Sequence, residues 1–167
     1  MLIDCLKRLE YRGYDSAGIS FLSNDFKIQT IKAVGEISVL EKKLESESMD
    51  GSCGIGHSRW ATHGSVTEEN AHPHESCNQK ISIVHNGIIE NFKSISEELE
   101  KRNHHFNSNT DSEVIAHLIE EEYNKTHDLK QSVINIIKKL NGSYAIVAIH
   151  KDEPNTLVAA RKDSPLV

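Results

Sequence analysis

The sequence has little of what most quickly places a protein. Aromatic residues make up 5% of its 167 positions, with one tryptophan, and there are three prolines, two methionines and three cysteines. Cys5, Cys53 and Cys77 are too few, and odd in number, for a secreted disulfide framework. A reducing cytoplasm is the expected setting. No apolar run approaches the roughly 20 residues that span a bilayer, and no basic-then-apolar leader opens the chain, so no membrane partner is expected. A basic surplus is also missing. The formal net charge is −6 and the lysines are scattered, which argues against nucleic acid as a partner. Neither common Gly-rich phosphate loop occurs. Histidine, by contrast, is abundant at ten residues, and the length fits one domain with a real core.

Periodicity organises the rest. In MLIDCLKRLEYRG, Leu2, Cys5, Leu6 and Leu9 form a helical stripe, and Arg12-Gly13 supplies a stop. The stripe runs from the second residue with no capping residue ahead of it, so the chain reads as a helix cut into. SPLV at the other end reads as a second cut. SAGISFLS and KIQTIKAV read as strands around the Asn24-Asp25 turn. Residues 36–44 suit a short helix, 53–58 a strand, and 64–80 a long polar loop of the kind that is often functional. ISIVHNG reads as a strand entering a turn. Ser94-x-x-Glu97 and Thr110-x-x-Glu113 are capping boxes that would open two helices. Leu129, Val133, Ile136, Ile137 and Leu140 mark a third helix, ended by Asn141-Gly142. SYAIVAIH and TLVAAR are two further strands. There is no repeat, low-complexity segment or linker. Strands in pairs with helices grouped apart favour an α+β layered fold of antiparallel sheets over an alternating βαβ fold.

Four stretches could carry chemistry. RGYDSAG places Arg12 and Gly13 at a helix end, where a plain cap with Gly13 at positive φ accounts for both. In HSRWATHG, Arg59 offers a fork of donors suited to a carboxylate, Trp60 could wall a pocket, and Thr62 and His63 add polar groups beside it. The bland alternative is a surface arginine stacked on tryptophan. In HNGIIEN, Asn86-Gly87 is foremost a turn signal, and its sharper reading is an oxyanion hole made by the Asn86 amide and the Gly87 N–H. Asp111, in the first turn of a helix, is favoured there by the dipole alone. It is also a possible acceptor for a substrate ammonium group. Arg59 and Asp111 together would grip an α-amino acid by both charged ends.

Metal binding competes for the histidines. His57, His63, His72 and His74 lie close in sequence, but Cys-x-x-Cys and His-Glu-x-x-His are both absent. Cys77 could join them only through the fold, and His104 and His105 read as solvated. No metal and no other cofactor is expected.

Taken together, EYRGYDSAG, SRWATHG, NAHPH, HNGIIEN and TDSEVIAH resemble, in order and spacing, the glutaminase domain of the glucosamine-6-phosphate synthase family of class II glutamine amidotransferases. The likeness covers essentially the whole chain. It implies an N-terminal-nucleophile (Ntn) hydrolase fold, a four-layer αββα sandwich. It implies hydrolysis of glutamine through a thioester, with ammonia passed to an isomerase domain of the same parent chain that makes glucosamine 6-phosphate from fructose 6-phosphate. The parent would be a homodimer. By the resemblance, Arg59 holds the glutamine carboxylate with Thr62 and His63 lining that end, and Asp111 takes the amino group. Asn86 and Gly87 form the oxyanion hole, Arg12 and Gly13 pack beside the nucleophile, and Trp60 lies near the channel mouth.

One departure stands out. The family's nucleophile is a cysteine at the mature N-terminus, whose own α-amino group serves as base. Residues 1–167 read as a partial domain without that opening strand, the last strands or the isomerase domain, and so as inactive alone. Cys53-Gly-Ile imitates the family's opening. An internal residue has no free amine, however, and Cys53 is expected to be a small, partly buried side chain. Other class II amidotransferases and a non-catalytic glutamine-binding module remain the alternatives.

Overall fold

The computed structural model describes residues 2–13, 15–45, 50–60 and 64–166. Two antiparallel sheets lie face to face with helices on both outer sides. Helix α1 (Leu2–Leu9) runs into a 3₁₀ turn (Glu10–Arg12) that stops at Gly13. Strands β1 (Ser16–Ser23), β2 (Ile28–Val34) and, after α2 (Ile37–Leu44), β3 (Gly51–Arg59) form the first sheet, in the order β2-β1-β3. The second sheet is ordered β4-β5-β6-β7, from β4 (His74–Glu75), β5 (Ile81–Ile89), β6 (Gly142–His150) and β7 (Leu157–Lys162). Helices α3 (Phe92–Glu100), α4 (Glu113–Thr126) and α5 (Leu129–Ile136) fall between β5 and β6 in sequence. No helix among the described residues is long and apolar enough to cross a membrane.

Three apolar clusters hold the layers together. Ala17, Ile19 and Phe21 of β1 alternate along one face and pack with Leu6, Ile37 and Leu40 of α1 and α2. Ile81, Ile83, Ile89 and Ile146 of the second sheet pack with Ile115, Ile119, Leu129 and Ile136 of α4 and α5 in a much larger core. Between the sheets the apolar contact is small: Ile55, Val84 and Ile149, with Cys53 and Val147 at its edge. The Ser82 hydroxyl donates to Ser20 Oγ at 2.7 Å across the same gap. These layers form the α+β, αββα arrangement expected from the sequence.

Several local expectations need correction. Asn86-Gly87 is not a turn. Strand β5 runs straight through it, with Asn86 opposite Ala145 and Gly87 opposite Tyr144. Ser94 does not cap α3, which has already begun at Phe92. Its hydroxyl donates back to Asn91 O at 2.9 Å, as serines within helices do. Thr110 does not cap α4 either, because Glu113, the other half of that expected box, binds elsewhere. Its carboxylate accepts from the Asn107 and Ser108 N–H groups at 2.9 and 2.7 Å. Helix α5, capped by the Asp128 carboxylate accepting from Gln131 N–H at 2.8 Å, ends at Ile136 rather than reaching Asn141. The polar stretch 64–80 contains the short strand β4.

Candidate functional site

A cavity of about 580 Å³ opens between the two sheets. Its walls come from the end of β3, the middle of β5, the start of α4 and β6, with Leu6 and Leu9 of α1 and Pro165 and Leu166 across the mouth. Arg59, Trp60, Asn86, Gly87 and Asp111 all line it. Residues separated by up to 52 positions are thus brought to one space by the pairing of the sheets.

Arg59 is the last residue of β3 and is buried, with Nη1 donating to Ser65 O at 3.3 Å. Burial pulls its guanidinium below the usual arginine range, and the carboxylates of Asp15 and Asp111 oppose that shift. Arg59 O accepts the Asp15 N–H at 3.1 Å. A β-carbon on Gly13 would stand 2.8 Å from both Arg59 C and Trp60 N. Gly13 is therefore required for close approach, not for handedness: its φ of 177° is extended, contrary to the positive φ expected of a helix cap. Arg12 ends the 3₁₀ turn directly before this glycine. Trp60 is 60% exposed at the rim. Thr62 and His63 lie outside the described residues.

Asp111, just ahead of α4, is buried as well, and its Oδ2 accepts the Ile89 N–H at 2.7 Å. That bond ties the acid to the strand carrying Asn86 and Gly87. Gly87 has φ +139°, and an added β-carbon would lie 2.2 Å from Ser143 O. Only glycine satisfies both the torsion and the approach to β6.

Behind the cavity lies a neutral imidazole cluster that the sequence reading missed as a unit. His57, His72 and His74 converge, with ring centroids 4.3 and 4.6 Å apart along the series, and His85 lies 6.5 Å from His72. The His85 backbone N–H donates to His72 Nδ1 at 3.3 Å, so the His72 proton sits on Nε2 and faces Ser112 Oγ at 3.4 Å. The Ser112 hydroxyl then donates to His85 Nδ1 at 2.8 Å. This leaves His85 Nε2–H as a buried donor that makes no regular hydrogen bond among the described residues, on a side chain that lines the cavity. Burial lowers the pKa of all four, to about 4 for His57 and about 3 for His74. They are neutral scaffold groups: His72 and His85 meet Ser112, and His74 Nε2 meets Thr110 Oγ1, while His57 Nδ1 makes no regular hydrogen bond among the described residues. The His-Pro-His signal was visible, but its partners Ser112 and His85 are distant in sequence.

None of the three cysteines lines the cavity. Cys5 is exposed on α1. Cys53 packs beside Ile55 and Val84 between the sheets, where burial raises its thiol pKa. That environment suits an inert side chain and not a nucleophile. Cys77 sits in a separate polar cluster with His104, His117 and Glu120, whose ligand atoms all lie within 4.8 Å of one another. This corrects the reading of His104 as solvated, since its side chain is 11% exposed.

A family model described as a glutamine amidotransferase domain matches residues 57–165. The glutamine–fructose-6-phosphate aminotransferase [isomerizing] of Thermotoga maritima is 53% identical over 99% of this chain, and the match covers 27% of that protein. The Pyrococcus horikoshii protein of the same name is 52% identical over the whole chain, and the match covers 28% of it. The chain thus spans about a quarter of the length of these relatives. Among solved structures, the glutamine phosphoribosylpyrophosphate amidotransferase of B. subtilis aligns with TM-score 0.77 at 29% identity, over 94% of this chain and 33% of that one. A glutamine aminotransferase class-II domain protein of Silicibacter pomeroyi aligns with TM-score 0.64 at 18% identity, over 92% and 71%, and shows the fold alone. The two stacked antiparallel sheets are those of the N-terminal-nucleophile hydrolases, and the chain belongs to the glutamine amidotransferase domain family.

Proposed function

We propose that the cavity is a glutamine site and that the chain is the glutaminase part of a glutamine–fructose-6-phosphate aminotransferase. The observation that carries this reading is the pair of buried opposite charges, Arg59 and Asp111, on one cavity. An α-amino acid presents a carboxylate and an ammonium that match them, and few other small metabolites require both. Its side-chain amide would then extend toward Asn86 and Gly87, which supply the donors for an oxyanion. Ammonia released there would serve an isomerase domain of the longer parent protein, converting fructose 6-phosphate to glucosamine 6-phosphate. A cytoplasmic homodimer is the assembly we assign to that parent.

Titration calorimetry with glutamine tests the site. Asp111→Asn keeps an oxygen for the Ile89 N–H but removes the charge, and is expected to weaken binding about 10–100-fold, the worth of a charged hydrogen bond. Arg59→Gln is expected to cost at least as much. Equal glutamine affinity in the parent chain and both variants would rule out this cavity as the binding site.

Binding without turnover is the second expectation. Because no thiol lines the cavity, ammonia release by the 167-residue chain should not exceed that of a variant with Cys5, Cys53 and Cys77 all replaced by serine. A cysteine-dependent excess, measured with a coupled ammonia assay, would show that one of these three thiols reaches the substrate.

A further inference from the structure

The cluster of Cys77, His104, His117 and Glu120 lies outside the cavity and has no part in the glutamine reading. It joins three segments: the turn between β4 and β5, the connection after α3, and the middle of α4. Cys77 Sγ stands 3.6 Å from His104 Nδ1 and 3.4 Å from His117 Nδ1, and the two nitrogens are 3.2 Å apart. Bonds of about 2.3 Å to sulfur and about 2.0–2.1 Å to nitrogen, at tetrahedral angles, separate S from N by about 3.5 Å and N from N by about 3.4 Å. All three distances agree with those values to within about 0.2 Å. Glu120 Oε2 is 3.8 and 3.9 Å from the two imidazole nitrogens, about half an ångström beyond the tetrahedral separation. We propose that Cys77, His104, His117 and Glu120 form a four-ligand site for zinc or a similar tetrahedral divalent cation.

The surroundings support a metal rather than a fortuitous polar knot. Both histidines present Nδ1 to the cluster and turn Nε2 toward a carboxylate: Glu113 Oε1 at 3.5 Å for His117 and Glu121 Oε1 at 3.6 Å for His104. Carboxylates behind ligating imidazoles fix the ring and raise its basicity. His117 Nε2 is buried with no regular hydrogen bond among the described residues, and the Glu113 carboxylate 3.5 Å away would close on it as the ring becomes more acidic. The His105 N–H donates to Cys77 Sγ at 3.4 Å, a contact that favours thiolate. Glu120 is aimed by the N–H groups of Cys77 and Asn78 at 3.0 and 3.2 Å. The charges also balance: one thiolate and one carboxylate neutralise a divalent ion, and the two imidazoles bind as neutral ligands. Four protein ligands leave no open position, so the site is structural. Its effect reaches the cavity through Glu113, which holds the Asn107 and Ser108 N–H groups immediately before Thr110 and Asp111.

The chain, stripped with chelator, freed of it and kept reduced, is titrated with cobalt(II) and then with zinc(II). One equivalent of cobalt is expected to give the intense visible bands of a tetrahedral ion and a thiolate-to-cobalt charge-transfer band. Zinc should abolish both bands and raise the melting temperature. Cys77→Ser should lose the charge-transfer band, and His104→Ala should bind at least about tenfold more weakly. Cys5→Ser and Cys53→Ser should match the parent. Circular dichroism establishes that each variant is folded. A folded parent chain that takes up no stoichiometric cobalt overturns the assignment, as does a charge-transfer band that survives in Cys77→Ser.

Discussion

Gly87→Ala is expected to cost about 2–6 kcal/mol of folding stability, read as a large drop in the urea midpoint. Two costs add. The φ of +139° is outside the range an alanine adopts without strain, worth about 1–3 kcal/mol. The new β-carbon would also lie 2.2 Å from Ser143 O and 2.8 Å from Ser143 C, both backbone atoms of an inner strand. Opening that clash displaces β5 from β6, at about 1–3 kcal/mol for an overpacked core. Against a total of about 5–15 kcal/mol this is severe. Gly35→Ala is the matched control. Gly35 also has positive φ, at +98°, but its nearest neighbour is the Val39 side chain at 3.6 Å, so it should lose only about 1 kcal/mol. Equal losses at the two positions would mean that the approach to Ser143 does not matter.

Stability is also expected to fall steeply as pH drops from 6.5 to 4. The folded pKa values of His57, His72, His74 and His85 lie below the usual 6.5, with burial the leading cause for each. In the unfolded chain these rings take up protons near pH 6.5, while in the fold they resist. Protonation therefore favours unfolding, and the stabilisation present above pH 6.5 is lost on acidification toward the folded values. His57, held at about 4, accounts for about 3 kcal/mol at most, since it borders the open cavity. Below pH 4.5 the carboxylates take over. Glu113, despite its burial, is lowered to about 2 by the His117 imidazole beside it and by hydrogen bonds from Asn107 and Ser108, and Glu122 to about 2 by Lys139 and Lys125. Urea midpoints measured from pH 7.5 to 4.5 check this. A flat profile would mean that the four rings titrate as if solvated.

How much of this is legible in the sequence depends on range. The stripe of Leu2, Leu6 and Leu9 and the alternation in SAGISFLS depend on neighbours within a few residues, and both elements form as read. Asn86-Gly87 is locally a turn and becomes strand because β6 offers an unbroken ladder opposite it. The boxes at Ser94 and Thr110 fail for a similar reason. Ser94 lies inside a helix that starts two residues earlier, and Thr110 is drawn to His74 Nε2 at 3.2 Å. Arg59 and Asp111 could be paired from their chemistry but not from their spacing. The Cys77 cluster left almost no trace, because its ligands come from three segments and only His117 and Glu120 share a helix.

Each sheet has its own helices and its own apolar core, and little apolar surface joins them. Arg59 belongs to the first half and Asp111, through Ile89, to the second. A zwitterion bound between those charges would act as a clamp across the seam. Occupancy of the site would then resist the parting of the two halves, and substrate would serve the molecule as mortar as well as cargo.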